Sequence, residues 1–496
     1  VFSARGTTMK YGHLATRTKV LAGAVLLCLG MVTATGAAAT SNLYGGGATL
    51  PAGAYVGFQF ITGTNVKLSA NTPSNSNTTV LMQPGNQIGQ SAVDGASLFG
   101  HWASSTNNAV SFCQTGSGNG KKIFNLTDGT NTLTSALPCD GNASLTRGFG
   151  APPLVAVDPY FAASDAPMSL TEYAQFNTPG GKTTQYGEPA QFPAVAGSIA
   201  IIFHNSDIPS TTRLDLSDAQ ICSVFRGAFT NWQQIDPSLP SRTIRVVYRS
   251  DGSGTSFSFA NHLTAVCGST AGKHFLADQQ FASVAGSTQP ATTSVVGQFF
   301  PATGTPAGQP STWTGANGNG GVLTEIALPA EDGAISYAES ANLKAAVAAG
   351  TASGVAYATV GGKDPYSDFP NSVSAAVVQN FAVNGVNATT GAPTIGVLTP
   401  LVAGTKCMNI VNPTTYANVT TRYPIMAVSY LIANSKGNGT DAANVASLIA
   451  SAYDATHTGV TTIGNDTSVT PVNGVKTGFA FFTPTVAITP STCIGS

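Results

Sequence analysis

The sequence predicts an α/β protein, and three observations carry that expectation. Apolar runs of strand length alternate with helical patterns along the second half of the chain. Tight hairpin signals are few, which argues against an all-β sandwich. A chain of 496 residues with 42% hydrophobic content is also long enough for a sizeable core and too apolar for wholesale disorder. Charged residues reach only 9%, against roughly 25% in ordinary domains, and 55 glycines help take their place. With 21 basic and 22 acidic residues there is no basic field to hold a nucleic-acid backbone, which excludes a general nucleic-acid binder. No fixed-period repeat is present.

In chain order, residues 10–39 read as a secretory signal. Lys10, Arg17 and Lys19 form a basic start, 20–32 is apolar but too short to span a bilayer, and Ala37-Ala38-Ala39 supplies a small-residue cleavage site. Cleavage after Ala39 would leave Thr40 first, and Met9 reads as the initiator, with 1–8 upstream of it. Losing Arg5, Lys10, Arg17 and Lys19 leaves 17 basic to 22 acidic residues, so any anion must be held locally rather than by net charge. Cys28 lies inside the apolar run, in a poor lipoprotein box. The six remaining cysteines, Cys113, Cys139, Cys222, Cys267, Cys407 and Cys493, read as disulfides of an oxidising compartment. Many connectivities are open; the expectation is sequential pairing, 113–139, 222–267 and 407–493. No metal-ligand spacing supports a zinc site or another metal site.

The stretch 45–51 is a glycine-rich turn feeding a helix, and 62–106 is Asn/Thr-rich and reads as an elaborated loop or insertion. Loop 114–122 resembles a P-loop but fails it, with Thr115 at the first glycine position and Lys122 where Ser or Thr belongs, so no nucleotide cofactor is expected. A second loop-rich insertion covers 126–144. Strands are expected at 154–157, 194–203 and 244–248, helices at 217–226 (opened by Ser217-Asp218) and about 255–266. After a Gly/Thr/Pro/Ser-rich region, 268–321, strand and helix signals return at 333–337 and 343–349, then a strand at 423–433 and a helix at 441–452.

Chemistry concentrates in four loops. Arg249-Ser250-Asp251-Gly252-Ser253-Gly254-Thr255-Ser256 joins a strand to a helix. Its glycines let backbone N–H groups turn toward a ligand at a positive helix end, while Arg249 offers fork geometry and Ser253 and Thr255 offer hydroxyls. The same residues would equally make a plain capping turn. Gly45-Gly46-Gly47-Ala48-Thr49-Leu50-Pro51 and Gln114-Thr115-Gly116-Ser117-Gly118-Asn119-Gly120 repeat the pattern. In Ser164-Asp165-Ala166-Pro167, Asp165 is either a helix cap or a discriminator. A carboxylate accepts a hydrogen bond from a protonated oxyanion and repels sulfate, which has no proton to donate.

These four motifs, in this order, resemble the phosphate-binding proteins of bacterial ABC importers (PstS-like), closest to the DING-type secreted branch. Supporting stretches are Phe229-Thr230-Asn231-Trp232, Gly333-Ala334-Ile335-Ser336-Tyr337 and Tyr423-Pro424-Ile425. The resemblance implies a type II periplasmic-binding-protein-like α/β fold with two lobes, 40–198 plus 427–496 and 199–426, joined by two crossover strands near 194–202 and 423–429. It implies a non-enzymatic, monomeric, periplasmic or secreted protein that closes on hydrogen phosphate, either for uptake through importer membrane subunits or for extracellular phosphate scavenging. Its phosphate ligands would be Thr49, the Leu50 N–H, Ser117, Asp165, Arg249, Ser253, the Gly254 N–H and Thr255, with Asp251 orienting Arg249. Three departures stand out: the spacings from Thr49 to Ser117 and from Ser117 to Asp165 are longer than in compact importer proteins, Leu50 replaces a common aromatic, and Gly118 follows Ser117 where many members carry a second serine.

Two further readings stay open. A secreted phosphatase or esterase would use Ser253 or Ser117 as nucleophile, with His262 the histidine to test among the scattered His101, His204, His262, His274 and His457. An extracellular interaction protein would use the 62–106 insertion for attachment.

Overall fold

The structure is a computed structural model that describes residues 41–58, 66–68, 90–125, 159–177, 182–282, 293–300, 310–402, 407–454, 459–464 and 476–496. The expected signal segment, most of 62–89, the 126–144 loop with Cys139, and the strand at 154–157 lie outside the described residues, as does His457.

Eight strands carry the argument: β1 (Asn42–Gly47), β2 (Ala109–Gln114), β3 (Phe161–Ser164), β4 (Pro189–His204), β5 (Arg245–Arg249), β6 (Trp313–Ala316), β7 (Ala334–Glu339) and β8 (Met426–Asn434). They are neighbours in the order β2-β1-β3-β8-β4-β7-β5-β6 within one large mixed sheet. β1 lies parallel to β2 and β3 on either side, so Gly47 is level with both Gln114 and Ala163. Close approach explains the glycines of β1: a Cβ on Gly45 would stand 2.4 Å from the Phe161 carbonyl oxygen. β5 lies parallel to both β7 and β6.

β4 joins these two parallel groups. It runs 16 residues with almost every residue buried, as its largely apolar composition, interrupted by Gln191 and Ser198, requires. From Pro189 to Ser198 it pairs antiparallel with β8; from Ile199 to His204 it pairs antiparallel with β7. The exchange of partners falls between Ser198 and Ile199, inside the expected 194–203 strand. β8 begins at Met426 rather than 423 because Pro424 has no N–H for a ladder, while the Tyr423 hydroxyl donates to the Ile199 carbonyl at 2.8 Å.

Helices follow strand ends: α1 (Ala52–Val56), α2 (Leu98–Thr106), α3 (Ser117–Asn125), α4 (Asp218–Phe225), α5 (Gly254–Val266), α6 (Gly318–Ile326), α7 (Ser340–Ala348) and α8 (Ala442–Ala450). Ser217 starts α4 through a capping box with Gln220, as the sequence signal foretells. α2 corrects the loop reading of 62–106. Ser97 caps it, Leu98, Phe99 and Trp102 are buried, and Phe99 stacks on Tyr55 with ring centroids 4.6 Å apart. A polar neighbourhood masked this short amphipathic pattern. The glycine-rich 268–321 region likewise contains β6 and the start of α6.

The stretch 372–411 packs against the first half of β4. Ser372–Ala375 pairs with Phe479–Pro484, which pairs with Val195–Gly197, and the Gln191 N–H donates to the Cys407 carbonyl. An unexpected hairpin, Phe381–Val386 with Pro393–Val397, lies here. Its base bonds to Met168 (Val383 N to Met168 O, 3.1 Å), and its tip accepts from Ala277 at Gly391 O, 2.9 Å. Cys222–Cys267 and Cys407–Cys493 form disulfides, with Cα–Cα distances of 5.7 and 5.6 Å. Both were expected.

Candidate functional site

Thr49, Ser117 and Asp165 each lie a few residues beyond the end of one strand in the parallel trio β1, β2 and β3. Hydrogen bonds lock those ends together: Thr115 N and Gly116 N both donate to Gly47 O (3.0 and 2.9 Å), and Ala48 N donates to Ala163 O (2.8 Å). Arg249 ends β5, and the loop after it turns into α5. The expected residues therefore sit beyond the carboxyl ends of parallel strands, where open α/β sheets hold ligands.

Ser117 and Asp165 exchange two bonds. The Asp165 N–H donates to Ser117 Oγ (3.0 Å), and the Ser117 hydroxyl donates to Asp165 Oδ2 (3.2 Å). A Cβ on Gly254 would lie 2.5 Å from both Ser117 Oγ and Asp165 Cβ, so the start of α5 is pressed directly against this pair. The two loops also touch through Gly118 N, which donates to Gly252 O at 2.7 Å. A Cβ on Gly118 would come within 3.0 Å of that oxygen. This close approach leaves little room for a side chain at position 118.

Arg249 is 1% exposed and held on three sides. Its Nε and Nη2 donate to the two oxygens of Asp251 (2.7 and 2.5 Å), and Nη1 donates to Asn319 Oδ1 (3.1 Å) and Thr255 Oγ1 (3.3 Å). Asp251 also accepts from Gly318 N (3.0 Å), at the start of α6. The carboxylate offsets the cost of burying the guanidinium and fixes its plane. Ser253 caps α5 by accepting from Ser256 N (3.0 Å), which leaves its hydroxyl proton available to donate. Leu50 is fully buried, its side chain 3.0 Å from where a Cβ on Gly197 would stand; an apolar residue of its size fills that space.

Asp165 is the electrostatic centre. Burial lifts its carboxyl to about 7, against the opposing pull of the nearby Ser429 hydroxyl, the Ser117 hydrogen bond and the charges of Arg249 and Lys121. Its Oδ1 has no partner, and neither has Thr49 Oγ1. A second buried carboxyl, Glu339, accepts from Ala341 N and Asn342 N at the start of α7. Burial holds it well above the usual carboxylate range, and Asp165 adds repulsion. Asn342 in turn donates to Thr49 O at 3.2 Å, tying α7 to the Thr49 loop. Lys121 is spent elsewhere, in a 2.8 Å ion pair with Glu172.

A family model described as the PBP superfamily domain matches residues 95–453. The chain belongs to the PBP superfamily. Alkaline phosphatase L of Pseudomonas aeruginosa strain UCBPP-PA14 is 32% identical over 313 residues, covering 63% of this chain and 69% of that protein. The protein of the same name from strain PAO1 is 35% identical over 157 residues, covering 32% and 36%. Phosphate-binding protein PstS of Haemophilus influenzae is 32% identical over 130 residues, covering 25% and 35%. The chain thus spans about a third of the length of these last two relatives. Among solved structures, a high-affinity periplasmic phosphate-binding protein, PfluDING, bound with phosphate, aligns with a TM-score of 0.51 at 22% identity, covering 89% of this chain and 90% of that one. The expected binding-protein α/β fold and the resemblance to PstS-like and DING-type proteins are what these comparisons return.

Two residues beside this candidate site were not legible in sequence. Ser429 sits in mid-strand on β8, with no local signal for a ligand role. Asn319 lies in Asn317-Gly318-Asn319-Gly320-Gly321, a fourth glycine-rich strand-to-helix turn, hidden in the Gly/Thr/Pro/Ser-rich 268–321 region. Among the described residues no group of His, Cys, Asp and Glu could hold a metal ion, and no helix is long and apolar enough to cross a membrane.

Proposed function

We propose that this chain captures inorganic phosphate, as hydrogen phosphate, at the site built by Thr49, Leu50 N–H, Ser117, Asp165, Arg249, Ser253, Gly254 N–H and Thr255, with Asp251 orienting Arg249. The observation that carries the proposal is a buried carboxyl with one unpartnered oxygen, set among directed donors beside a neutralised arginine. Net charge does not attract the anion; a dry site dense in donors does. Asp165 accepts a hydrogen bond from the ligand's O–H and so selects hydrogen phosphate against sulfate. The names of the PstS and PfluDING proteins point the same way.

The two lobes would meet at the Ser198–Ile199 partner exchange in β4, with β8 as the second connection. The contacts of 372–411 with the first half of β4 favour placing that stretch in the first lobe rather than in the second. Closure would be a hinge motion at these strands. The signal-like residues 10–39 and the disulfides support a periplasmic or secreted monomer that hands phosphate to importer membrane subunits.

A phosphatase reading, prompted by the name of one relative, would need a base beside Ser253. His262, the histidine closest in sequence, places Nδ1 2.9 Å from Ala417 O and Nε2 3.1 Å from Asp218 Oδ1. Titration calorimetry of phosphate-stripped protein with phosphate and then sulfate tests the proposal. Phosphate binding with sulfate excluded, abolished in Arg249→Ala, is the expected result. A folded protein that binds no phosphate refutes it.

A further inference from the structure

Three atoms in the loops around the site are buried and lack any hydrogen-bond partner: Thr49 Oγ1, Asp165 Oδ1 and Asn319 Nδ2. Buried polar groups are rarely left unpaired, because each costs its full desolvation. The first two belong to residues that the proposed function already uses. The third belongs to a residue for which neither the sequence motifs nor the comparisons offer a role.

Asn319 is fully buried at the second position of α6. The orientation of its amide follows from chemistry. Arg249 has only donors to offer, so the Asn319 atom 3.1 Å from Arg249 Nη1 must be the oxygen. The NH₂ group is thereby turned to the other corner of the same amide, one amide's breadth from the guanidinium that the anion approaches. α6 is anchored in this place by Gly318 N on Asp251 and by Ser250 N on Ala316 O at 2.9 Å. Asn319 therefore cannot drift independently of the Arg249 loop.

We propose that Asn319 is a further phosphate ligand, donating its Nδ2–H to an anion oxygen while its Oδ1 holds Arg249; the inference rests on the phosphate reading of the site. The chemistry suits the position. Asp251 already balances the charge of Arg249, so another cation would leave a net charge in a dry site, whereas a neutral amide supplies a donor without one. Asn319 thus bridges the guanidinium and the anion, and both of its polar ends are satisfied only when the anion is bound.

The test joins calorimetry with a crystal structure of the phosphate-loaded protein. Asn319→Ala removes both ends of the amide. Asn319→Asp keeps an acceptor for Arg249 and deletes the donor. The expected results are an Nδ2 to phosphate-oxygen distance near 2.9 Å, a loss of about 10- to 100-fold in phosphate affinity for Asn319→Ala, and a loss at least as large for Asn319→Asp. An Nδ2 more than about 3.5 Å from every phosphate oxygen overturns the inference. So does Asn319→Asp binding like the wild type, which would leave Asn319 a positioning residue for Arg249. In both of these cases the wild type still binds phosphate and the reading of the site stands. A wild type that binds none removes the reading and this inference together.

Discussion

Replacing Asp165 with Asn keeps the volume of the side chain and removes one titrating group, so its effects can be worked out from the site. In the phosphate-free protein, burial raises the Asp165 carboxyl from 3.8 to about 7. A carboxyl raised on folding favours the native state while protonated. That stability is fully present below the unfolded value and is lost as pH rises through about 7. The full displacement corresponds to something on the order of 4 kcal/mol. Asn is neutral throughout, so the stability of Asp165→Asn relative to wild type should rise by up to that amount between about pH 4 and pH 8. In thermal unfolding of phosphate-free protein this is a shift of several degrees, at roughly 2 °C per kcal/mol for a large chain. A stability difference that stays constant across this range would refute the reasoning, since it would mean that Asp165 titrates like an exposed carboxylate. In the loaded protein the sign reverses. The variant offers only a neutral amide oxygen in place of the charged acceptor for the ligand's O–H, so phosphate affinity should fall about 10- to 100-fold, while sulfate, no longer repelled by a charge, should gain.

Arg249→Ala should destabilise the protein by about 3–5 kcal/mol, because it leaves the Asp251 carboxylate buried and unpaired; in urea unfolding, the double variant with Asp251→Asn should recover much of that loss. Gly254→Ala places a Cβ 2.5 Å from Ser117 Oγ and Asp165 Cβ, so calorimetry should show at least a tenfold loss of phosphate affinity as the two loops are forced apart. Gly391 has φ +70°, and a Cβ there would stand 1.8 Å from Phe275 O. Gly391→Val should therefore release the hairpin tip, read as faster hydrogen exchange at the Ala277 amide. Replacing Cys407 and Cys493 with serine opens a link across 86 residues, and denaturant unfolding should lose about 4 kcal/mol.

Much of the site was legible because its determinants are local. A glycine-rich turn between a strand and a helix creates its own donors, so Thr49, Ser117, Arg249 and Ser253 could be singled out from windows of a few residues. The same logic applies to the Ser217 cap and to the long apolar run of β4. Where local pattern was weak, the reading failed. α2 was lost in the polar composition around it. The hairpin at 381–397 was missed because its turn is not one of the short Asn-Gly or Asp-Gly connections. Asn319 carried a glycine-rich signal of the same kind, but inside a stretch that as a whole reads as loop.

By itself, the sequence determined the α/β class and the four candidate loops in their order, whereas the pairing of Cys222 with Cys267 and of Cys407 with Cys493, expected among many open connectivities, was decided by the fold. Backbone dihedral freedom, helix capping and apolar periodicity all act between near neighbours, so a short window contains their causes. Tertiary structure decided what depends on surroundings. It set the exchange of partners between Ser198 and Ile199, the side of β4 on which 372–411 packs, and the meeting of Gly254 with Ser117 and Asp165. It also decided the charge state of Asp165, because desolvation and the fields of Arg249 and Lys121 arise only when residues far apart in the chain are buried together.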